Sequence, residues 1–167
     1  MKFSLLPKII VPALTDVTEE LLCSRNIKLL MLDFDNTIVP YTTSTPTEEM
    51  HRWLESMSGA DIKLCVVSNS HKDRVKIFCT QYGIDCITHA NKPFAKGIQE
   101  CLAKYQMNPA ECALVGDQIF TDTLGANYNG VTSILVKAID NHNIWLKLRH
   151  VAEMPFIILA RKRRIEQ

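Results

Sequence analysis

Five stretches of the chain are apolar enough to be buried strands, and segments with helical spacing separate them. "IKLLMLDF" (27–34), "IKLCVVS" (62–68), "IDCIT" (84–88), "CALVGD" (112–117) and "TSILV" (132–136) are short, and several are apolar on both faces. Such strands suit a parallel sheet covered by helices on both sides. In "TPTEEMHRWLESM" (45–57), Met50, Trp53, Leu54 and Met57 recur at i, i+3, i+4, i+7 and form one helical face. Thr45 is its expected N-cap, with Pro46 at the first helical position and Glu48 completing a capping box. "HKDRVKIFCTQYG" (71–83) predicts a helix stopped by Gly83. "PFAKGIQECLAKYQM" (93–107) predicts another that buries Ile98, Cys101, Leu102 and Tyr105. "TDTLGANYNG" (121–130) predicts a short one closed by Asn129 and Gly130.

Strand and helix alternate, which predicts an α/β doubly wound, Rossmann-like fold with a five-stranded parallel sheet and right-handed crossovers. The length of 167 residues suits one domain. We expect a single domain over 1–167, with its core at about 27–137 and a helical, basic C-terminal extension at about 141–167.

Composition changes this picture little. An apolar fraction of 47% and a charged fraction of 22% are ordinary for a globular protein. The net charge of +1 gives no global field for nucleic acid, so no nucleic-acid partner is expected. The charge is uneven, however: residues 147–167 hold six Lys/Arg and two Glu, net +4, leaving −3 for the rest. Six cysteines occur without a C-x-x-C pair or a histidine cluster, and they read as reduced packing residues. The N-terminal apolar patch is broken by Pro7 and Pro12, making it a poor signal peptide, and no apolar run reaches 18 residues. The expected location is the cytoplasm, with peripheral membrane contact left open.

Candidate chemistry begins where the first strand ends, in "DFDNT" (33–37). Asp33, Ser68 and Asp117 each stand at the predicted carboxyl end of a strand, and Lys92 follows a fourth. Parallel strands put those ends on one edge of the sheet, where ligands of this architecture bind. "VVSNS" (66–70) adds hydroxyl and amide groups, "NKP" (91–93) a cation, and "GDQIFTD" (116–122) two more carboxylates. Acids gathered at one edge repel unless a cation sits among them. Oxygen donors without imidazole or thiolate point to Mg²⁺.

These four motifs, in this order, resemble those of the haloacid dehalogenase (HAD) superfamily. At finer grain the chain resembles the YqeG family of HAD subfamily IIIA, through "DFDNTIVPY", "VVSN", "HANKPFAKGI" and "VGDQIFTDTLGANYNGVTSILV". Mitochondrial phosphatidylglycerophosphate phosphatases are relatives of that group. The resemblance implies a phosphomonoester hydrolase with Asp33 as nucleophile and Asp35 as general acid and base. It implies phosphate contacts from Ser68 and Lys92, and a Mg²⁺ site made by Asp33, the Asp35 carbonyl and Asp117, with Asp122 a further acidic contact. Asn69 is open between a substrate contact and a brace for its loop. His71 and His89 read as structural.

HAD phosphatases often carry a cap domain, but the spacings from Thr37 to Thr45 and from Ser68 to Lys92 leave no room for one. The fold is therefore expected to be capless and the site open, which suits a bulky phosphorylated substrate such as a phospholipid. A small metabolite, a phosphorylated macromolecule, or a non-catalytic binding role are the alternatives. The basic, apolar segment 144–164 either packs on the domain or touches a membrane surface, and the N-terminal "FSLLPKIIVPAL" (3–14) poses the same alternative.

Overall fold

A computed structural model describes residues 3–140 and 144–165, with side chains omitted for 144–150 and 163–165. The sheet has six parallel strands rather than five. They are β1 (Ile9–Ile10), β2 (Leu29–Leu32), β3 (Lys63–Val67), β4 (Asp85–Ile87), β5 (Cys112–Gly116) and β6 (Thr132–Leu135), in the order β1-β6-β5-β2-β3-β4.

The additional strand is the N-terminal arm. Ile9 and Ile10 pair with Ile134 and Leu135, and Val11 N–H donates to the Leu135 carbonyl at 3.1 Å. Pro7 and Pro12 flank this pair. Proline cannot donate to a ladder, so it keeps an edge strand short. The arm is thus docked on the domain through this pairing.

Strand β2 lies at the centre, fully buried on both faces. Its alternate residues enter two separate cores. Leu30 and Leu32 join Trp53, Val75 and Phe78 on one side, while Leu29 and Met31 join Ile98, Cys101 and Leu114 on the other. Helices α1 (Glu19–Cys23), α2 (Glu48–Ser58) and α3 (Asp73–Tyr82) serve the first core. Helices α4 (Lys96–Tyr105) and α5 (Leu124–Tyr128) serve the second. Each large aliphatic side chain so buried contributes about 1.5–3 kcal/mol.

The buried face of α2 is the one its spacing predicts, but its N-cap is Thr47 rather than Thr45. The Thr47 hydroxyl accepts from Met50 N–H at 3.2 Å, so Pro46 precedes the cap instead of opening the helix. Gly83 ends α3 in the left-handed region, with φ of 64°. The segment expected to be helical from residue 121 begins earlier and more loosely, as a π-helical turn over Ile119–Thr123 that leads into α5.

The C-terminal helix α6 (Ile144–Ile165) continues through Pro155. It is pinned to the π-turn, where buried Glu153 accepts from Ile119 N–H at 2.9 Å and Phe156 meets Phe120 edge to face. The side chains of Trp145, Leu146, Leu148, Arg163 and Arg164 lie outside the described residues. No helix among the described residues is long and apolar enough to cross a membrane.

Candidate active site

Register decides what meets at the carboxyl edge. Leu32 lies opposite Val66 on one side and Val115 on the other, so Asp33 emerges level with Val67 and Gly116. Ser68 and Asp117 follow one residue later. The chain after Asp33 turns sharply, with Thr37 and Ile38 N–H groups pointing at the Phe34 carbonyl and Asn36 at φ of 68°. Phe34 is driven into the core against Phe78, with ring centroids 5.2 Å apart. That anchor explains the spacing of the acids: alternate residues point away from the core, so Asp33 and Asp35 flank a buried ring.

Two clamps fix this turn. The Asn36 side chain donates to the Asp140 carbonyl at 2.6 Å and accepts from Asp140 N–H at 2.9 Å, and Ile139 N–H donates to the Asn36 carbonyl. The Thr37 hydroxyl donates to Asp33 Oδ2 at 3.3 Å.

Lys92 supplies the central charge. Its Nζ lies 2.7 Å from Asp33 Oδ1 and 2.8 Å from Asp122 Oδ1, and the residue is 4% exposed. Burial by itself would depress this ammonium, but the Asp122 and Asp33 carboxylates outweigh burial and raise it. Asp122 shows the opposite balance. Burial pushes its carboxyl up to about 6, aided by Asp33 and opposed by Lys92.

Asp33, Asp117 and Asp122 are all buried, and each offers one oxygen within 4.8 Å of the others'. Three carboxylates against one ammonium leave two negative charges in a buried space, the deficit that a divalent cation corrects. The donors are all hard oxygens, which suits Mg²⁺. The acids therefore fit a divalent ion.

Backbone geometry makes the cluster possible at Gly116. A Cβ there would lie 2.3 Å from Asp122 Oδ2 and 2.4 Å from its Cγ. That oxygen accepts from Gln118 N–H at 3.1 Å, so the carboxylate is held rather than free to swing away. Gly116→Ala is expected to displace Asp122 and weaken divalent-ion binding by roughly tenfold or more, as losses of supporting contacts around metal ligands do. Calorimetric titration with Mg²⁺ checks this, and unchanged affinity would contradict the crowding argument.

Ser68 is buried, and its Oγ accepts from Ser70 N–H at 3.0 Å. Both polar atoms of the Asn69 amide bond the Lys92 backbone, Nδ2 donating to its carbonyl at 2.9 Å and Oδ1 accepting from its N–H at 2.7 Å. Asn69 thus braces the loop that carries Lys92. Asp35 is partly buried and ion-paired with Arg74. His71 and His89 are exposed and contact each other edge to face, with centroids 4.0 Å apart.

Two residues that sequence reasoning did not single out hold the site together. Arg74 binds Asp35, donates to the Tyr41 carbonyl at 3.2 Å, bonds the Thr43 carbonyl, and lies over the Phe34 ring. Glu153 caps the turn that carries Asp122. Its one sequence signal is a single acid in the apolar run "VAEMPFIILA" (151–160), since an unpaired acid is costly to bury.

A buried acid cluster with a bridging lysine thus lies at the carboxyl edge of a doubly wound sheet, and the family and relatives that the chain matches make it a HAD-superfamily phosphatase, a phosphoric monoester hydrolase. The fold agrees with the haloacid dehalogenase-like protein SP0104 from Streptococcus pneumoniae, at a TM-score of 0.52 and 13% identity over 70% of this chain and 88% of that one. The family model described as "Mitochondrial PGP phosphatase" matches residues 2–139, and the chain belongs to that family. Bacillus subtilis "Probable phosphatase YqeG" is 36% identical over 136 residues, 81% of this chain and 79% of the relative. Saccharomyces cerevisiae "Phosphatidylglycerophosphatase GEP4, mitochondrial" is 29% identical over 146 residues, 78% of this chain and 77% of the relative.

Proposed function

We propose that the chain hydrolyses the terminal phosphate monoester of phosphatidylglycerophosphate in a Mg²⁺-dependent reaction through an aspartyl-phosphate on Asp33. The observation that carries the hydrolytic mechanism is the pairing of Asp33 with Asp35 around Phe34, beside a buried lysine that bridges two acids. The lipid substrate is supported by the relative named for that activity in yeast and by a carboxyl edge that no cap domain covers among the described residues.

In this reading Asp35 first takes a proton from solvent, which loosens its ion pair with Arg74. An Asp33 oxygen then attacks phosphorus in line as the ester P–O bond breaks, and Asp35 passes that proton to the leaving alkoxide. Asp35, now a carboxylate, takes a proton from a water that attacks the phosphoryl group, which breaks the Asp33–phosphorus bond and releases inorganic phosphate. Lys92 holds phosphoryl oxygens and offsets charge on Asp33, Ser68 offers a hydroxyl to the same group, and Arg74 positions Asp35. Asp33, Asp117, Asp122 and the Asp35 carbonyl would hold Mg²⁺, which supplies further neutralisation of the phosphoryl charge.

Turnover of phosphatidylglycerophosphate in mixed micelles, compared with glycerol 3-phosphate and an aryl phosphate, tests the substrate. We expect kcat/KM for the lipid to exceed that for the small esters by on the order of 100-fold, because binding energy remote from the reacting centre is available only with the lipid. Equal values would remove the lipid reading. A rate indifferent to chelation of Mg²⁺ would remove the metal from the mechanism.

A further inference from the structure

The acid cluster does not end in bulk water on every side. A cavity of about 580 Å³ runs from Asp117 along the carboxyl end of β6, between the N-terminal arm and α6. Ile10 and Val136 line it from the sheet side, and Met154, Ile157 and Ile158 from the helix. Its volume lies within the usual range of small-molecule sites, about 300–1,000 Å³. Near the cluster it meets Glu153, whose carboxylate accepts backbone N–H bonds from the π-turn. Two cations, Lys137 and Arg161, also line it, and both are exposed.

Between its charged ends the cavity wall is apolar, and on the helix side its residues are only partly covered by the protein itself. Ile158 is 58% exposed and Met154 40% exposed on the helix that forms one wall. Because Asp117 belongs both to this cavity and to the acid cluster, a molecule with its phosphate at Asp33 can extend along the apolar side without leaving the surface.

We propose that this cavity is an acyl-chain subsite. It takes the hydrocarbon of a phosphorylated lipid whose phosphate sits in the acid cluster, while Lys137 and Arg161 face anionic groups beside the chain. The N-terminal arm and α6 then serve as the two walls of a hydrocarbon slot, which gives both peripheral segments a role in binding. The inference rests on the lipid reading above but adds to it a location and a dependence on chain length.

The experiment measures KM for lysophosphatidic-type monoesters of increasing acyl length, kept below their critical micelle concentrations, with an aryl phosphate as tail-less reference. In the wild type, KM is expected to fall by about fourfold for each methylene that enters the cavity, then to level off. Two variants act from opposite walls: Ile158→Asp makes the helix side polar at an exposed position, and Ala138→Trp fills the space from the sheet side. Each is expected to flatten the chain-length dependence relative to its own aryl phosphate rate. Binding of a pyrene-tailed alkylphosphonate is followed in parallel by fluorescence and needs no turnover. Saturable binding weakened by both variants supports the subsite.

Chain-length independence with intact aryl phosphate hydrolysis overturns the subsite and leaves the phosphatase standing. Loss of all hydrolysis in the wild type overturns the catalytic reading instead, and the fluorescence titration then decides the subsite alone. Absence of wild-type phosphonate binding, or binding unchanged in both variants, overturns it.

Discussion

Asp33→Asn is expected to stop Mg²⁺-dependent phosphate release almost completely, with kcat falling on the order of 10⁴-fold or more, as for other residues that form the covalent bond. The substitution keeps shape and removes the nucleophile's charge. Lys92 retains its 2.8 Å contact with Asp122, so the ammonium does not become an orphan. One of three mutually repelling acids is also neutralised. The melting temperature without metal should therefore stay within a few degrees of the wild type, which separates lost chemistry from lost fold. Phosphate release and thermal melting on the same preparations check both halves. Activity within tenfold of the wild type would dismiss Asp33 as the nucleophile.

Lys92→Met should be costly in a different way. It leaves three buried carboxylates without their ammonium, and breaking a buried pair by removing one partner costs about 3–5 kcal/mol. For a chain of this length each kcal/mol corresponds to roughly 2–4 °C in Tm. The pH dependence follows from Asp122, which burial already raises to about 6 from an ordinary 3.8. A raised acid contributes stability that is complete below its unfolded value and lost as pH rises through its folded value. Without Lys92 the folded value of Asp122 rises further, so the loss grows and extends to higher pH. The Tm gap between variant and wild type should be widest above pH 7 without metal, close toward pH 5, and narrow on adding Mg²⁺. Phosphate binding loses its cation too, and kcat should fall on the order of 10²–10³-fold. A variant that melts like the wild type at pH 8 without metal would show that Lys92 is not the counter-charge of the cluster.

Much of this site was legible because strand ends carry it. Asp33, Ser68 and Asp117 each end an apolar run, and parallel pairing must bring such ends together. What escaped was set by contacts distant in sequence. Arg74 falls on the polar side of α3, where it reads as a solvated cation, and its partner Asp35 is 39 residues away. Glu153 meets the π-turn from 34 residues beyond it. Strand β1 has only two residues between prolines, too few for an alternating pattern to show. The misplaced cap of α2 has a local cause. Thr45 and Thr47 both precede the helix, and a proline between them fits either as first helical residue or as the residue before the cap.

Among the described residues no cap domain covers the edge, and the site is ordered by the backbone that carries it. Asn36 is stitched to residues 139 and 140, Asn69 holds the Lys92 peptide, and the turn bearing Asp122 is closed by Glu153. These hydrogen bonds come from segments far apart in the chain, so the arrangement of the site is tied to the fold itself. A substitution that loosens one of these ties is thereby expected to lower kcat without altering any group that touches the phosphate.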